Sequence, residues 1–349
     1  MASPVPFRVT MLNRVAEKLV DHWLNKYDWP AWEAKINEFK RYKLDVGVPV
    51  RTAKDDPRGN GTVSVHFIHE RSPRADAIPI ILTHGWPGSF FLDLIRPLTH
   101  PPSAADPAFN VVFPSLIGYG FSSAATVRYF GVSENGKMAQ GGDWGSSVLA
   151  ILLPNNCRAI HLNLLSFVKP PEEATLPQLI PAEESQITQT QKFYHDGTGY
   201  QQIQMTKPQT LGFAVSDSPH EWTDLRGGDG DFPPSMSINH FLTNVVIYYI
   251  TNSITSSFRL YHYRMHRKLD HELLTATKIT VPFGGAAFAK EIIISPERWV
   301  EYWCPNLVHW SIFERGGHFA ALERPEDLIG DIRKFAAIKS VQTALTRTP

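Results

Sequence analysis

The chain has 349 residues, 43% of them hydrophobic and 19% charged, which suits one large globular unit with an elaboration. Its 34 basic and 34 acidic side chains cancel, and no basic stripe stands ready to neutralise phosphates, so nucleic acid is not an expected partner. No apolar run approaches the roughly 20 residues needed to span a bilayer. The opening Met1-Ala2-Ser3-Pro4-Val5-Pro6-Phe7 lacks the charged and then apolar pattern of a signal peptide. Two cysteines, Cys157 and Cys304, have no metal-ligand spacing and point to a reducing compartment. The expectation is a cytoplasmic protein, with peripheral membrane contact and a homodimer left open.

Along the chain, Val15, Leu19, Trp23 and Tyr27 recur every four positions and predict one helix face. Pro30 suits a first helical turn, and Trp32, Ile36 and Phe39 mark a second apolar face. At Val63, Val65 and Phe67 the period changes to two, which predicts a strand. Short apolar runs at Ile78–Leu82, Val111–Phe113, Ile160–Leu165, Ile279–Phe283 and Val308–Phe313 read as strands buried on both faces. Leu328, Ile329, Ile332 and Phe335 behind Pro325 give a late helix. Strands alternating with helices predict an α/β architecture with a mostly parallel central sheet flanked by helices. From 169 to 266 the strand signal stops. That stretch is read as a helical cap over the carboxyl edge of the sheet, where ligands bind in open α/β folds.

Chemistry enters with Gly141-Gly142-Asp143-Trp144-Gly145-Ser146. It has the small-x-nucleophile-x-small form of a nucleophile elbow, with Asp143 where esterases place serine. Taken alone it also fits a glycine-rich surface turn. A second stretch, His84-Gly85-Trp86-Pro87-Gly88-Ser89, leaves the Ile78–Leu82 strand as an HG-type loop; alone it also fits a simple strand exit, but the two in this order argue against coincidence. The two loops together predict an oxyanion hole from the Trp86 and Trp144 amides, with His84, Gly85 and Pro87 as substrate-binding residues. In the order nucleophile, acid, base, the acid is Glu291, with Glu297 the alternative six residues on, and the base is His318 in Gly316-Gly317-His318-Phe319.

The nucleophile type restricts the reaction. A serine alkylated at saturated carbon gives an ether that water does not readily cleave. A carboxylate gives an ester, whose carbonyl a His-activated water can attack. Asp143 therefore points to an epoxide or an alkyl halide. Epoxide opening leaves an alkoxide that needs a positioned acid, and tyrosine is protonated at neutral pH. Eleven tyrosines are available, with Tyr200 and Tyr261 standing in the cap stretch. Neither a metal nor an organic cofactor is required by this chemistry.

Several stretches resemble the microsomal-type epoxide hydrolases, particularly their fungal and bacterial relatives. They include Tyr27-Asp28-Trp29, His66-Phe67-Ile68-His69-Glu70-Arg71-Ser72, the His84 loop, Gly118-Tyr119-Gly120-Phe121-Ser122-Ser123, the Asp143 elbow, Ser216-Asp217-Ser218-Pro219, and Arg315 to Ala321. The resemblance runs from about Lys18 to Phe335. It implies an α/β-hydrolase fold with an N-terminal meander bracing a helical cap. It also implies Asp143 as nucleophile, His318 with Glu291 activating water, and Tyr200 and Tyr261 (or Tyr263) holding a small hydrophobic epoxide. The corresponding divisions are 1–75 for the meander, 76–168 and 267–349 for the core, and 169–266 for the cap.

The chain departs from that pattern in three places. The meander's opening segment is short, and residues 124–140 must supply both a crossover and the nucleophile strand. Ser218-Pro219-His220-Glu221-Trp222 also leads into the glycine-rich Gly227-Gly228-Asp229-Gly230-Asp231, which reads as a linker rather than a cation loop because no spaced ligand set follows. These departures predict reduced stability first and reduced catalysis second. The rival readings are a haloalkane dehalogenase and a catalytically impaired ligand-binding homologue.

Overall fold

The computed structural model describes residues 17–47, 62–88, 92–124, 138–146, 157–167, 169–174, 176–216, 236–266 and 278–346. Val15, most of the 124–140 connection and the 219–231 stretch lie outside these residues. Among the described residues, one sheet holds β1 (Arg41–Gly47), β2 (Thr62–Glu70), β3 (Ile78–Thr83), β4 (Phe109–Pro114), β5 (Met138–Gly141), β6 (Ala159–Leu162), β7 (Phe283–Lys290) and β8 (Leu307–Gly317). Their spatial order is β1-β2-β4-β3-β5-β6-β7-β8. The β1–β2 and β2–β4 pairs are antiparallel and the others parallel.

Alternation along the central strands deals successive side chains onto the two faces of this sheet. Ile80, Leu82, Met138, Ala286 and Phe288 belong to one core, which also takes Leu94, Ile95, Leu98, Leu328, Ile332 and Phe335. Their neighbours Ile81, Ala139, Ile160, Phe283 and Ala287 turn to a second core with Val300 and Trp303. Both faces are thus apolar, which is why β3 and β6 read as continuous hydrophobic runs.

The N-terminal part starts with a helical segment at 17–25, followed by α1 (Trp29–Asn37). Asp28 caps α1 by accepting from Ala31 N, and Pro30 sits in the first turn as its sequence position predicts. Tyr27 lies beyond the first helical segment, where its hydroxyl bonds Thr243 Oγ1 at 2.9 Å. After α2 (Leu92–Thr99), the insertion between β6 and β7 is helical: α3 (Pro181–Asp196), α4 (Gly199–Thr206), α5 (Pro208–Val215), α6 (Ile238–Ile250), α7 (Ile254–Ser257) and α8 (Arg259–His266). His22 reaches Asn239 on α6 at 2.7 Å, so the N-terminal segment is tied to this insertion twice.

The last third carries α9 (Glu297–Trp303), α10 (Ala320–Glu323), α11 (Pro325–Ala337) and α12 (Lys339–Thr346). One expectation is corrected here. Ile279–Phe283 is not a strand: Ile279 bonds back to the Trp303 carbonyl, and β7 only begins at Phe283. The reason is packing. A Cβ on Gly284 would lie 2.8 Å from the Phe335 ring, and one on Gly285 would lie 2.6 Å from the Trp310 ring. The strand must therefore be written in small residues, without a β-branched signal.

Under the sheet, α11 inserts Asp331, which accepts from His161 Nε2 (3.0 Å), His309 Nε2 (2.8 Å) and Ser311 Oγ (2.6 Å). Burial opposes its charge, but these bonds prevail and hold the carboxyl well below the usual carboxylate range. Asp331→Ala is expected to cost about 3 kcal/mol, because it strands the buried His161 and half-buried His309 donors. A depressed carboxyl contributes stability that is present above its unfolded pKa, about 3.9, and lost as pH falls through the folded value. Urea melts of parent and variant should therefore differ fully at neutral pH and converge below about pH 4.

Candidate active site

Strand β5 ends at Gly141, and the chain turns through Gly142 and Asp143 into a helical turn at 144–146. Asp143 has φ +51°, a left-handed conformation that costs most side chains energy but that aspartate tolerates. The turn is also crowded: a Cβ on Gly145 would lie 2.3 Å from the Thr83 carbonyl oxygen. The elbow anticipated from the glycine spacing is present, and it lifts the Asp143 carboxylate off the end of the sheet.

The loop after β3 meets that carboxylate. Trp86 N donates to Asp143 Oδ1 at 2.5 Å, while Trp144 follows Asp143 in the opening helical turn. His84 is 4% exposed and braces the loop. Its Nε2 accepts from Leu116 N at 3.0 Å, which leaves Nδ1 to donate to the Gly85 carbonyl at 2.9 Å. Burial pushes its pKa down to about 4, so it is neutral. With both nitrogens committed to backbone, its ring lines an apolar cavity behind the loop, beside Tyr119 and Tyr248. Gly85 and Pro87, in contrast, line a small cavity shared with Asp143 and His318.

A Cβ on Gly85 would sit 1.8 Å from Asp143 Oδ1. Gly85→Ala should therefore displace the carboxylate while leaving the sheet intact. A displacement of about 1 Å at reacting atoms costs on the order of 10²-fold in rate, so that loss is expected with little change in melting temperature.

His318 directly follows β8. Its Nε2 lies 3.3 Å from Asp143 Oδ2, and its Nδ1 lies 2.6 Å from Glu291 Oε1. Glu291 directly follows β7 and is 1% exposed, and its Oε1 also accepts from Ile292 N at 2.7 Å. Glu297, the alternative acid, instead opens α9. Burial alone would lower the His318 pKa. The Glu291 charge and the bonds to Asp143 and Glu291 outweigh it and raise the pKa well above the ordinary imidazole value.

Above the elbow, the Trp86 ring stacks on Tyr200 at 5.5 Å and meets Tyr261 edge-on at 5.9 Å. The two tyrosine rings are 5.9 Å apart, and the Trp144 ring meets Tyr261 edge-on at 4.9 Å. Burial, then the Asp143 charge and Tyr200, push the Tyr261 hydroxyl well above the ordinary phenol range, so it stays protonated. Tyr263, two residues on, has its ring against His262.

Three braces have no sequence signal. Tyr248 on α6 accepts from Gly88 N at 2.6 Å, and Ser257 on α7 accepts from Trp86 Nε1 at 3.0 Å. Gln189 on α3 donates to the Glu291 carbonyl at 2.9 Å. The helical insertion thus holds both the Trp86 loop and the acid loop. Among the described residues, the grouping with metal-ligand spacing is His161, His309 and Asp331, whose ligand atoms lie within 4.8 Å of one another. In this structure these groups serve one another as hydrogen-bond partners.

An elbow carboxylate, an imidazole 3.3 Å from it and a buried acid behind that imidazole stand together at the end of the sheet. Residues 10–92 match the family model described as epoxide hydrolase N terminus. A Stigmatella aurantiaca (strain DW4/3-1) protein named "Putative epoxide hydrolase" is 35% identical over 350 residues, covering 90% of this chain and 74% of that protein. Epoxide hydrolase 1 of Sus scrofa is 30% identical over 385 residues, with 93% and 80% covered. That alignment is longer than the 349 residues present here, so the relative carries segments this chain lacks. The Aspergillus niger epoxide hydrolase structure superposes with a TM-score of 0.74 at 28% identity, covering 96% of this chain and 89% of that one. The juvenile hormone epoxide hydrolase of Bombyx mori shares the fold, with a TM-score of 0.76 and 98% and 89% covered. The chain belongs to the epoxide hydrolase family and has the α/β-hydrolase fold.

Proposed function

We propose that this protein adds water to a small hydrophobic epoxide to give a vicinal diol, through an ester formed on Asp143. The carrying observation is the continuous line Glu291–His318–Asp143. Tyr200 and Tyr261 hold the epoxide oxygen and protonate it as the ring opens. Asp143 Oδ2 attacks the less hindered carbon, and Oδ1 stays on the Trp86 amide, with the Trp144 amide as second donor. Esterification removes the negative charge of Asp143, one of the influences that raise His318. The imidazole thereby becomes a better base when water must be deprotonated. Gly85 and Pro87 line the reacting centre, His84 holds the loop, and residues 169–266 act as the cap. Among the described residues no helix is long and apolar enough to cross a membrane, and a cytoplasmic location is proposed with that.

Two tyrosines packed on Trp86, whose amide binds the Asp143 carboxylate, favour an epoxide over an alkyl halide, because halide leaves as a stable anion and needs no proton. Incubation with a panel of aryl and alkyl epoxides, followed by chiral analysis of products, tests this. Diol without halide release from chloroalkanes is expected. Halide release without diol would make the protein a haloalkane dehalogenase.

A further inference from the structure

We propose that the small cavity between the elbow and His318 seats the water of the second half-reaction, and that Asn163 holds that water in place. The inference rests on the ester mechanism proposed above and assigns a role that mechanism leaves open.

The cavity has about 10 Å³ of room and is bordered by Gly142, Asp143, Asn163, His318, Phe319 and Ala320. That is about the space one water molecule requires. A bound water also needs two to four polar partners. Here they are His318 Nε2, the Asp143 carboxyl and the Asn163 amide. His318 Nε2 and Asp143 Oδ2 are 3.3 Å apart, longer than a charge-assisted bond of about 2.7–2.9 Å. The cavity borders both groups, so its occupant touches the base and the carbon it must attack.

Asn163 lies just past β6 and is 3% exposed. Its backbone N donates to the Gly141 carbonyl at 3.1 Å, which fixes it to the elbow strand. Its Oδ1 accepts from the buried Gln140 Nε2 at 2.8 Å, so the donor end of the amide is what it offers the cavity. A Cβ on Gly142 would lie 2.8 Å from that Oδ1 and 2.9 Å from Nδ2. The amide therefore packs against the backbone immediately before Asp143.

In the step itself, an Asn163 N–H donates to one lone pair of the water oxygen. One water proton passes to His318 Nε2 while the second lone pair forms a bond to the ester carbon, Asp143 Cγ. The carbonyl electrons move onto Oδ1, held by the Trp86 amide. The tetrahedral species then collapses, breaking the Cγ–Oδ2 bond, and the departing alkoxide takes the proton from His318. The diol leaves with Oδ2, and Asp143 regains the water oxygen as a carboxylic acid whose remaining proton replaces, by way of solvent, the one a tyrosine gave up in the first half.

The test is single-turnover kinetics with enzyme in excess over styrene oxide. Ester formation is followed by intact mass and diol release by quench. Asn163→Ala removes the amide, and Asn163→Asp keeps an acceptor for Gln140 while removing the donor. Variants that melt like the parent should esterify at the parental rate and hydrolyse the ester on the order of 10²-fold more slowly, the cost of a misplaced nucleophile. Ester then accumulates, and kcat and KM fall together. A purely structural role would slow both steps alike, and that result, or unchanged hydrolysis in both variants, overturns the assignment. Absence of any ester in the parent would instead overturn the mechanism on which it rests.

Discussion

Asp143→Asn is expected to lower kcat/KM by about 10⁴-fold or more, the scale seen when a nucleophile is removed from a covalent mechanism. Asparagine suits the experiment because it also tolerates the left-handed φ of +51° and keeps an oxygen for the Trp86 amide. Alanine would confound lost chemistry with strain in the elbow. Melting behaviour should therefore stay near the parent while diol formation disappears. Turnover that survives in a folded Asp143→Asn variant would mean that water opens the epoxide directly.

His318→Gln should separate the two halves of the reaction. Asp143, the Trp86 amide and the tyrosines are untouched, so the first half proceeds. Glutamine cannot accept a proton from water, so the second half stops, with a loss of about 10⁴-fold in steady-state rate. Glu291→Gln is milder and reports through pH. The Glu291 anion raises the His318 pKa, so its removal lowers that pKa. The acid limb of ester hydrolysis should then move to lower pH, as the imidazole stays neutral further into acid, while the maximal rate falls with the weaker base. Stopped-flow measurement of ester decay against pH checks both signs.

What the sequence discloses follows the range of the interaction. The Asp143 elbow and the His84 loop are legible because each is a local turn whose glycines answer to nearby backbone. His318 is legible because it directly follows β8, whose apolar run the sequence shows, and Glu291 through the chain order nucleophile, acid, base. The β7 strand was hidden because Gly284 and Gly285 give way to Phe335 and Trp310, which are distant in sequence. β1 was hidden for another reason. Tyr42, Leu44 and Val46 alternate, but the strand lies at the sheet edge with Tyr42 and Leu44 exposed, among Arg41, Lys43 and Asp45. Tyr248, Ser257, Gln189 and Asn163 form no motif at all. They reach the site only because the helical insertion and β6 fold against it.

The covalent ester is the claim on which the mechanism turns, and it can be weighed directly. His318→Gln protein mixed with excess styrene oxide, quenched in acid and digested, should show one epoxide mass added to the peptide that contains Asp143. Parent protein that forms diol while the variant carries no adduct, or carries it on another residue, would contradict the account.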